Sequence, residues 1–238
     1  MLDFQPWNQW LQRYVDEQGR VDYAAWKRSA AQDLSTWLEA MSHEELTWAG
    51  DDRALMNEAL ALWLNLYNAL VIQQVLQQYP IPSIRPQVWG IPNWIAFLRF
   101  FSRPIYQLNH ELLSLNTIEH EILRPEFNEP RIHFALVCAA IGCPLLRNEA
   151  YAPERVQAQL EEDATRFINN PAKVNYDEST NILYCSQIFK WYRQDFLKTR
   201  SSIATYVQTY YAKPVTLTDS TPIRYLPYDW GLNQRTSS

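Results

Sequence analysis

The sequence predicts an α+β fold, with a helical first third followed by a small, mostly antiparallel sheet against which helices pack. Three observations carry that prediction. Apolar residues in the first eighty positions recur at helical spacing. Alternation of apolar and other residues, rich in Val, Ile and Phe, begins only near Ile132. The short β-prone runs come after the helices instead of alternating with them, which argues against a doubly wound sheet. With 238 residues, 47% of them hydrophobic, the chain can bury a sizeable core. We read one domain over 1–238, in which 1–80 form a helical portion and 81–238 an α+β portion; no internal repeat is visible.

The elements follow in order. Trp7, Trp10, Leu11 and Tyr14 lie on one face of a first helix over 7–15, and Gly19-Arg20-Val21-Asp22-Tyr23 breaks the pattern before a second helix over 24–41. Asp51 and Asp52 read as N-caps of a long helix that Pro80 ends. Its most apolar run, 59–72, is too short to cross a bilayer, so no membrane span is expected. Residues 81–104, rich in Pro and Trp, predict an ordered, extended loop that packs aromatic rings. Residues 116–125 predict a short helix capped by Asn116 and stopped by Pro125. Residues 132–137 predict a buried strand. An amphipathic helix is expected over 153–169, with Val156, Leu160, Ala164 and Phe167 on its inner face. A hairpin over 175–184, a helix over 187–198 and a last strand over 223–228 complete the series.

Composition excludes several functions. The 26 acids and 21 bases give a formal net charge of -5; they are interspersed and no run of Lys or Arg occurs, so nucleic acid and anionic membranes are poor candidate partners. The first residues show no basic start followed by an apolar stretch. Three cysteines are an odd number, which suits free thiols in a reducing compartment, and the cytoplasm is the expected location. Only five glycines occur, without a dinucleotide or phosphate-loop pattern, and no cofactor is expected. His110 and His120 each precede a glutamate, yet positions 114 and 124 hold Ser and Arg, so the zinc-protease helix is absent.

Chemistry concentrates in 131–144, which holds one of four histidines and two of three cysteines. Cys138 falls at the end of the expected strand, facing a cleft. Cys143 follows Gly142 and precedes Pro144, a residue favoured at the first position of a helix, where unpaired N–H groups favour thiolate. The alternative is that both sulfurs are small buried hydrophobes; Cys185 is assigned to the core. A thiolate needs a base and an orienting group, and His133 or His120 with Glu119 would supply them, although Asn116-x-x-Glu119 also resembles a capping box. His43 and His110 read as surface residues. Asn65 and Asn68 lie on the inward stripe of the long helix and either bond loop backbone or line a site. Ten tryptophans and fourteen tyrosines, spread along the chain, read as core packing.

Several segments together resemble a known family: Gly19-Arg20-Val21-Asp22-Tyr23; Trp63-Leu64-Asn65-Leu66-Tyr67-Asn68-Ala69-Leu70; Ile118-Glu119-His120-x-Ile122-Leu123-Arg124; His133-Phe134-Ala135-Leu136-Val137-Cys138-Ala139 with Gly142-Cys143-Pro144; and Leu226-Pro227-Tyr228-Asp229-Trp230-Gly231-Leu232-Asn233. Over essentially the whole chain this resembles the domain-of-unknown-function family 547. The resemblance implies a comparison with papain-like and transglutaminase-like thiol enzymes. It points to Glu119, His120, His133, Cys138 and Cys143 as catalytic candidates, and to Asn65, Tyr67 and Asn68 as substrate-binding candidates. Many relatives begin with a secretory or lipoprotein signal and carry two prolines after the second cysteine, where this chain has Pro144-Leu145.

Two functions are therefore expected to compete. One is a thiol-dependent hydrolase or acyl transferase acting on an amide or thioester of a small peptide-like substrate. The other is a non-catalytic module whose Cys/His/Asn cluster is structural and whose aromatic stretch 80–104 meets a protein partner. A zinc site from Cys138, Cys143 and one or two histidines is a third reading, with loose Cys-x4-Cys spacing.

Overall fold

The computed structural model describes residues 3–42, 52–108 and 111–235; Asp51, His43 and His110 lie outside them. Helix α1 (Gln5–Tyr14) starts with Pro6 in its first turn and buries Trp7, Leu11 and Tyr14. The break after it needs a glycine. Gly19 has φ +68, and a Cβ there would sit 2.9 Å from Leu145 Cβ, so both the backbone and the space exclude a larger residue. Helix α2 (Tyr23–Met41) is capped by Asp22, whose carboxylate accepts from the Ala25 N–H, and buries Trp26, Ala30, Leu34 and Leu38 at four-residue intervals. Trp7 joins the two helices by packing against Trp26 and stacking on Trp37.

Helix α3 (Arg53–Gln78) is capped by Asp52 and is buried on every side from Ala59 to Ile72, the pattern of a central helix. At 26 residues it is long and apolar enough by composition to cross a membrane, which the apolar run alone did not suggest; 94% of its most apolar stretch is buried inside the fold, as in a core helix.

Residues 81–104 depart from the expected extended loop. They contain a two-residue hairpin, β1 (Gln87–Val88) with β2 (Ile91–Pro92), and helix α4 (Trp94–Ser102), capped by Asn93 accepting from the Ala96 N–H. The helix is masked in sequence by the prolines on either side of it, Pro92 and Pro104, neither of which falls inside it. Strands β3 (Tyr106–Leu108) and β4 (Glu111–Leu113) form a second ribbon.

The segment expected as a helix over 116–125 runs further. Helix α5 (Leu115–Thr117) continues into a π-helix (Ile118–Leu123) and then α6 (Arg124–Phe127). Its cap is Ser114, accepting from the Thr117 N–H, and not Asn116. Pro125 does not stop the run but sits at the junction of the π-helix and α6, and left-handed Asn128 (φ 47) ends it instead. The Asn116–Glu119 capping box does not form.

The expected strand at 132–137 is a 3-10 helix, Pro130–Phe134, followed by irregular chain. Pro130 fixes the first φ and Glu129 accepts from the Arg131 N–H. Nearly every side chain from 130 to 137 is buried, so apolar composition there reports burial and not a pleat. Helix α7 (Val156–Ile168) buries the expected face. Strands β5 (Val174–Asp177) and β6 (Ile182–Cys185) form the expected hairpin. The region 187–198 divides at Tyr192 into α8 (Ile188–Trp191) and α9 (Arg193–Phe196), and α10 (Ile203–Gln208) follows. Strand β7 (Ile223–Tyr225) joins β6 in parallel, the one parallel strand pair among the described residues in an otherwise antiparallel set, as a mostly antiparallel sheet allows.

The fold is α+β, with two apolar clusters. The larger gathers α1, α2 and α3 with Ile118, Leu136 and Cys143; the smaller gathers Phe134, Phe167, Phe189, Phe196 and Cys185. The C-terminal segment crosses between them. Bridges Ser83↔Gly231, Ala140↔Leu232 and Val21↔Gln234 fasten it, and Tyr228 packs on both clusters.

Candidate active site

Where the clusters meet, a cavity of about 470 Å³ opens to the surface, and Cys138, Cys143, His133, His120, Glu119 and Tyr67 all line it. Asn65 and Asn68 do not. The Asn68 carboxamide accepts from the Val137 N–H and donates to the Ala135 carbonyl, both at 3.0 Å. Asn65 does the same for Tyr151, donating to its carbonyl at 2.8 Å and accepting from its N–H at 2.9 Å. Both side chains thus satisfy irregular backbone that has no ladder of its own. Asn68 in effect suspends the chain leading into Cys138 from the central helix.

The cysteine loop is tight. Ala139 takes φ 60, the Cys138 N–H donates to Cys143 Sγ, and Gly142 passes so close to Asp229 and Tyr228 that a Cβ would meet both at 2.9 Å. Pro144 opens no helix, since α7 begins only at Val156; Cys143 therefore gains no helix N-terminus, contrary to expectation. The two thiols are driven apart. A hydrogen bond from Cys143, opposed by burial and aided by the Tyr228 hydroxyl, the Ala140 N–H and the Lys173 charge, lowers the Cys138 pKa from its ordinary value. Burial, reinforced by the hydrogen bond to Cys138 and that sulfur's charge, pushes Cys143 well above it. Cys138 is half-buried and its Sγ lies 3.2 Å from the Tyr228 hydroxyl.

His133 sits in the 3-10 helix, stacked on Tyr192 with ring centroids 3.8 Å apart. Its Nε2 lies 2.8 Å from Asp195 Oδ2, which also accepts from Arg124 Nε at 2.7 Å. Burial raises the Asp195 carboxyl, but the hydrogen bonds from His133 and Arg124 and the Arg124 charge outweigh that and hold it well below the usual carboxylate range. An ionised carboxylate only accepts, so Nε2 carries the proton and Nδ1 is bare. Burial, only partly offset by Asp195 and Glu119, lowers the His133 pKa, which keeps the ring neutral. His120 differs. Its Nδ1 lies 3.0 Å from Arg124 Nη1 and accepts from it.

Glu119 was expected to orient a histidine, but its carboxylate takes the Tyr67 hydroxyl at 3.1 Å and is also bonded to Tyr192. Asp195 fills the orienting role. Neither imidazole hydrogen-bonds either sulfur; besides the bonds within the cysteine loop, the side chain that reaches Cys138 Sγ is Tyr228. Asp195, Tyr192 and Tyr228 were not singled out from sequence. Tyr228 lies in the run Leu226 to Asn233 that carried the family resemblance, whereas nothing around Asp195 distinguishes it from a surface acid on a short helix.

The walls are aromatic: Phe97 and Phe101 of α4 on one side, Trp191, Tyr228 and Trp230 on the other. Tyr228 and Trp230 approach to 4.5 Å, and Phe97 meets Trp230 edge-on at 4.9 Å. Behind Cys143 a second hollow of about 460 Å³ is lined by Arg20, Lys173 and Asp229. Lys173 Nζ donates to the Ile141 carbonyl at 2.6 Å and so braces the cysteine loop from that side. Among the described residues no three His, Cys, Asp or Glu side chains converge as metal ligands, so the zinc reading gains no support from the geometry.

Residues 53–168, about half the chain, match the model of a family described as "Protein of unknown function, DUF547". The matched stretch contains Glu119, His120, His133, Cys138 and Cys143 but neither Asp195 nor Tyr228. No curated protein and no solved structure matches the chain.

Proposed function

Since the chain belongs to the DUF547 family, whose description assigns no activity, we propose from the cavity itself that it is a thiol-dependent hydrolase or acyl transferase with Cys138 as the nucleophile. The supporting observation is the division of the two thiols, one lowered and only partly buried, the other raised and buried. A thiolate is the reactive form of cysteine. Cys143 serves it as a hydrogen-bond donor. His133 lines the same cavity, and with Asp195 holding its Nε2–H and its Nδ1 bare it is the base.

The reaction runs in two stages. Cys138 Sγ forms a bond to a substrate carbonyl carbon and the bond to the leaving group breaks. A second nucleophile, water for a hydrolase, gives a proton to His133 Nδ1 and takes the acyl group from sulfur. A thioester's leaving thiolate departs without a proton donor, whereas an amine must be protonated; thioesters and other activated acyl groups are thus the better substrates, with peptide-like amides second. The aromatic walls suit an apolar or aromatic acyl group.

Iodoacetamide titration followed by mass spectrometry tests this. Cys138 should be labelled at neutral pH, and Cys143 and Cys185 should stay unmodified in the folded protein. Labelling of Cys138 only in the range of an ordinary thiol, near pH 8.5, would end the proposal. The lack of a direct imidazole–sulfur hydrogen bond favours the second reading, a non-catalytic binding module; under that reading Cys138→Ser leaves ligand binding intact and no acyl-enzyme forms with thioesters.

A further inference from the structure

Residues 80–110 hold three arginines and no aspartate or glutamate, in a chain whose formal net charge is -5. The same stretch carries most of the exposed large hydrophobic side chains: Trp89, Ile91, Trp94, Ile95 and Leu98. Helix α4 buries Phe100 against the fold, sets Trp94 and Leu98 at the rim of the cavity and turns Ile95 outward, so apart from Arg99 its exposed face is apolar where a surface helix is normally polar.

The hairpin tip is the most telling part. Val88 pairs with Ile91, leaving Trp89 and Gly90 as the two-residue turn, at φ 55 and 80. A turn with two positive φ values favours Asn or Gly at its first position, and a bulky residue there is strained. Trp89 is nevertheless 97% exposed, so packing within the fold gives nothing back. Strain kept at a position without internal contacts points to an external one.

We propose that this face docks on an anionic phospholipid bilayer, Trp89, Ile91 and Ile95 entering the interface while Arg99 and Arg103 meet the phosphates. Indole rings settle at headgroup depth. An apolar face of modest depth flanked by arginines is the arrangement of interfacial segments, and long arginine stems let the charge stay in the polar layer. Arg99 and Arg103 are exposed, and Arg85 lies over the Trp94 and Trp230 rings, holding a third charge at the edge. A two-fold self-interface would set these arginines against their own copies with no acid between them, which disfavours a second copy. The interspersed charge of the whole chain conceals this local excess.

The test is co-sedimentation of the whole chain with vesicles of phosphatidylcholine alone and of phosphatidylcholine with phosphatidylglycerol, at rising salt. The protein should bind the mixed vesicles and release as salt rises. The W89S/I95S variant, which alters only exposed side chains, should bind at least about tenfold more weakly. R99Q and R103Q should each lose about fivefold on the mixed vesicles and change little on phosphatidylcholine. Absence of binding at low salt, or equal binding by all variants with unchanged circular dichroism, would overturn the proposal. So would a wild-type dimer that W89S/I95S converts to monomer, since the face would then serve self-association.

Discussion

Cys138 and Cys143 are five residues apart and chemically the same, yet their surroundings give them opposite inclinations. The Tyr228 hydroxyl is one of the donors that lowers Cys138, so Tyr228→Phe removes a hydrogen bond that only the thiolate accepts strongly. Alkylation of Cys138 at neutral pH should slow by roughly three- to tenfold in that variant with little change in the melting temperature. An unchanged rate would mean the hydroxyl is a bystander. Asp195→Asn addresses the His133 side of the cavity from behind the imidazole. An amide can present its oxygen to His133 or to Arg124 with weaker attraction for either, and the imidazole loses the anion that fixes its tautomer. Thioester hydrolysis should fall by on the order of a hundredfold or more, while alkylation of Cys138 proceeds as before. A parallel loss of alkylation would place Asp195 in the fold of the cysteine loop and not in the proton transfer.

Helix α3 holds the site through two asparagines three residues apart, and they divide its labour. Asn68→Ala would leave the Val137 N–H and Ala135 carbonyl unpaired in a buried place, at a cost of about 1–3 kcal/mol for each group. Asn65→Ala would do the same at Tyr151. Denaturant unfolding should therefore register both, but only Asn68→Ala should also change Cys138 alkylation, because only Asn68 suspends the chain entering the cysteine loop. Equal effects on alkylation would refute that division. The elements around α3 differ in how far their sequences reveal them. α1, α2, α7 and the β5–β6 hairpin announce themselves because each has a wet side and a dry side, so apolar spacing reports geometry. The 3-10 segment at 130–134 has almost no wet side, so composition there records burial without a period, and α4 is a short helix set between Pro92 and Pro104, whose loop signal masks it. The cysteines, His133, His120 and Glu119 were legible because thiol, imidazole and carboxylate groups rarely crowd together by chance. Asp195 was not, for it meets His133 from 62 positions away through a fold that no local pattern encodes.

Across the molecule, the cavity lies on the seam between the two apolar clusters, with Cys138 against the larger and His133, beside Tyr192 and Phe196, against the smaller. Seams of this kind are common places for binding sites, and this one ties stability to protonation. His133 has its pKa lowered from 6.5 in the folded protein, chiefly by burial. Below 6.5 the unfolded chain therefore binds a proton that the native chain refuses, and stability falls as pH drops through that range. Asp195 adds to the effect lower down. Its folded pKa lies below the ordinary 3.8, so the stabilisation it gives is present above that value and is lost as acid protonates it. Melting temperature should accordingly decline in two stages on acidification, the first beginning near pH 6.5 and the second below about pH 4. His133→Gln, which cannot titrate, should flatten the first stage and leave the second; a first stage that survives the substitution would show that some other buried group sets it, and would detach the neutral, base-competent state of His133 from the acid sensitivity of the fold.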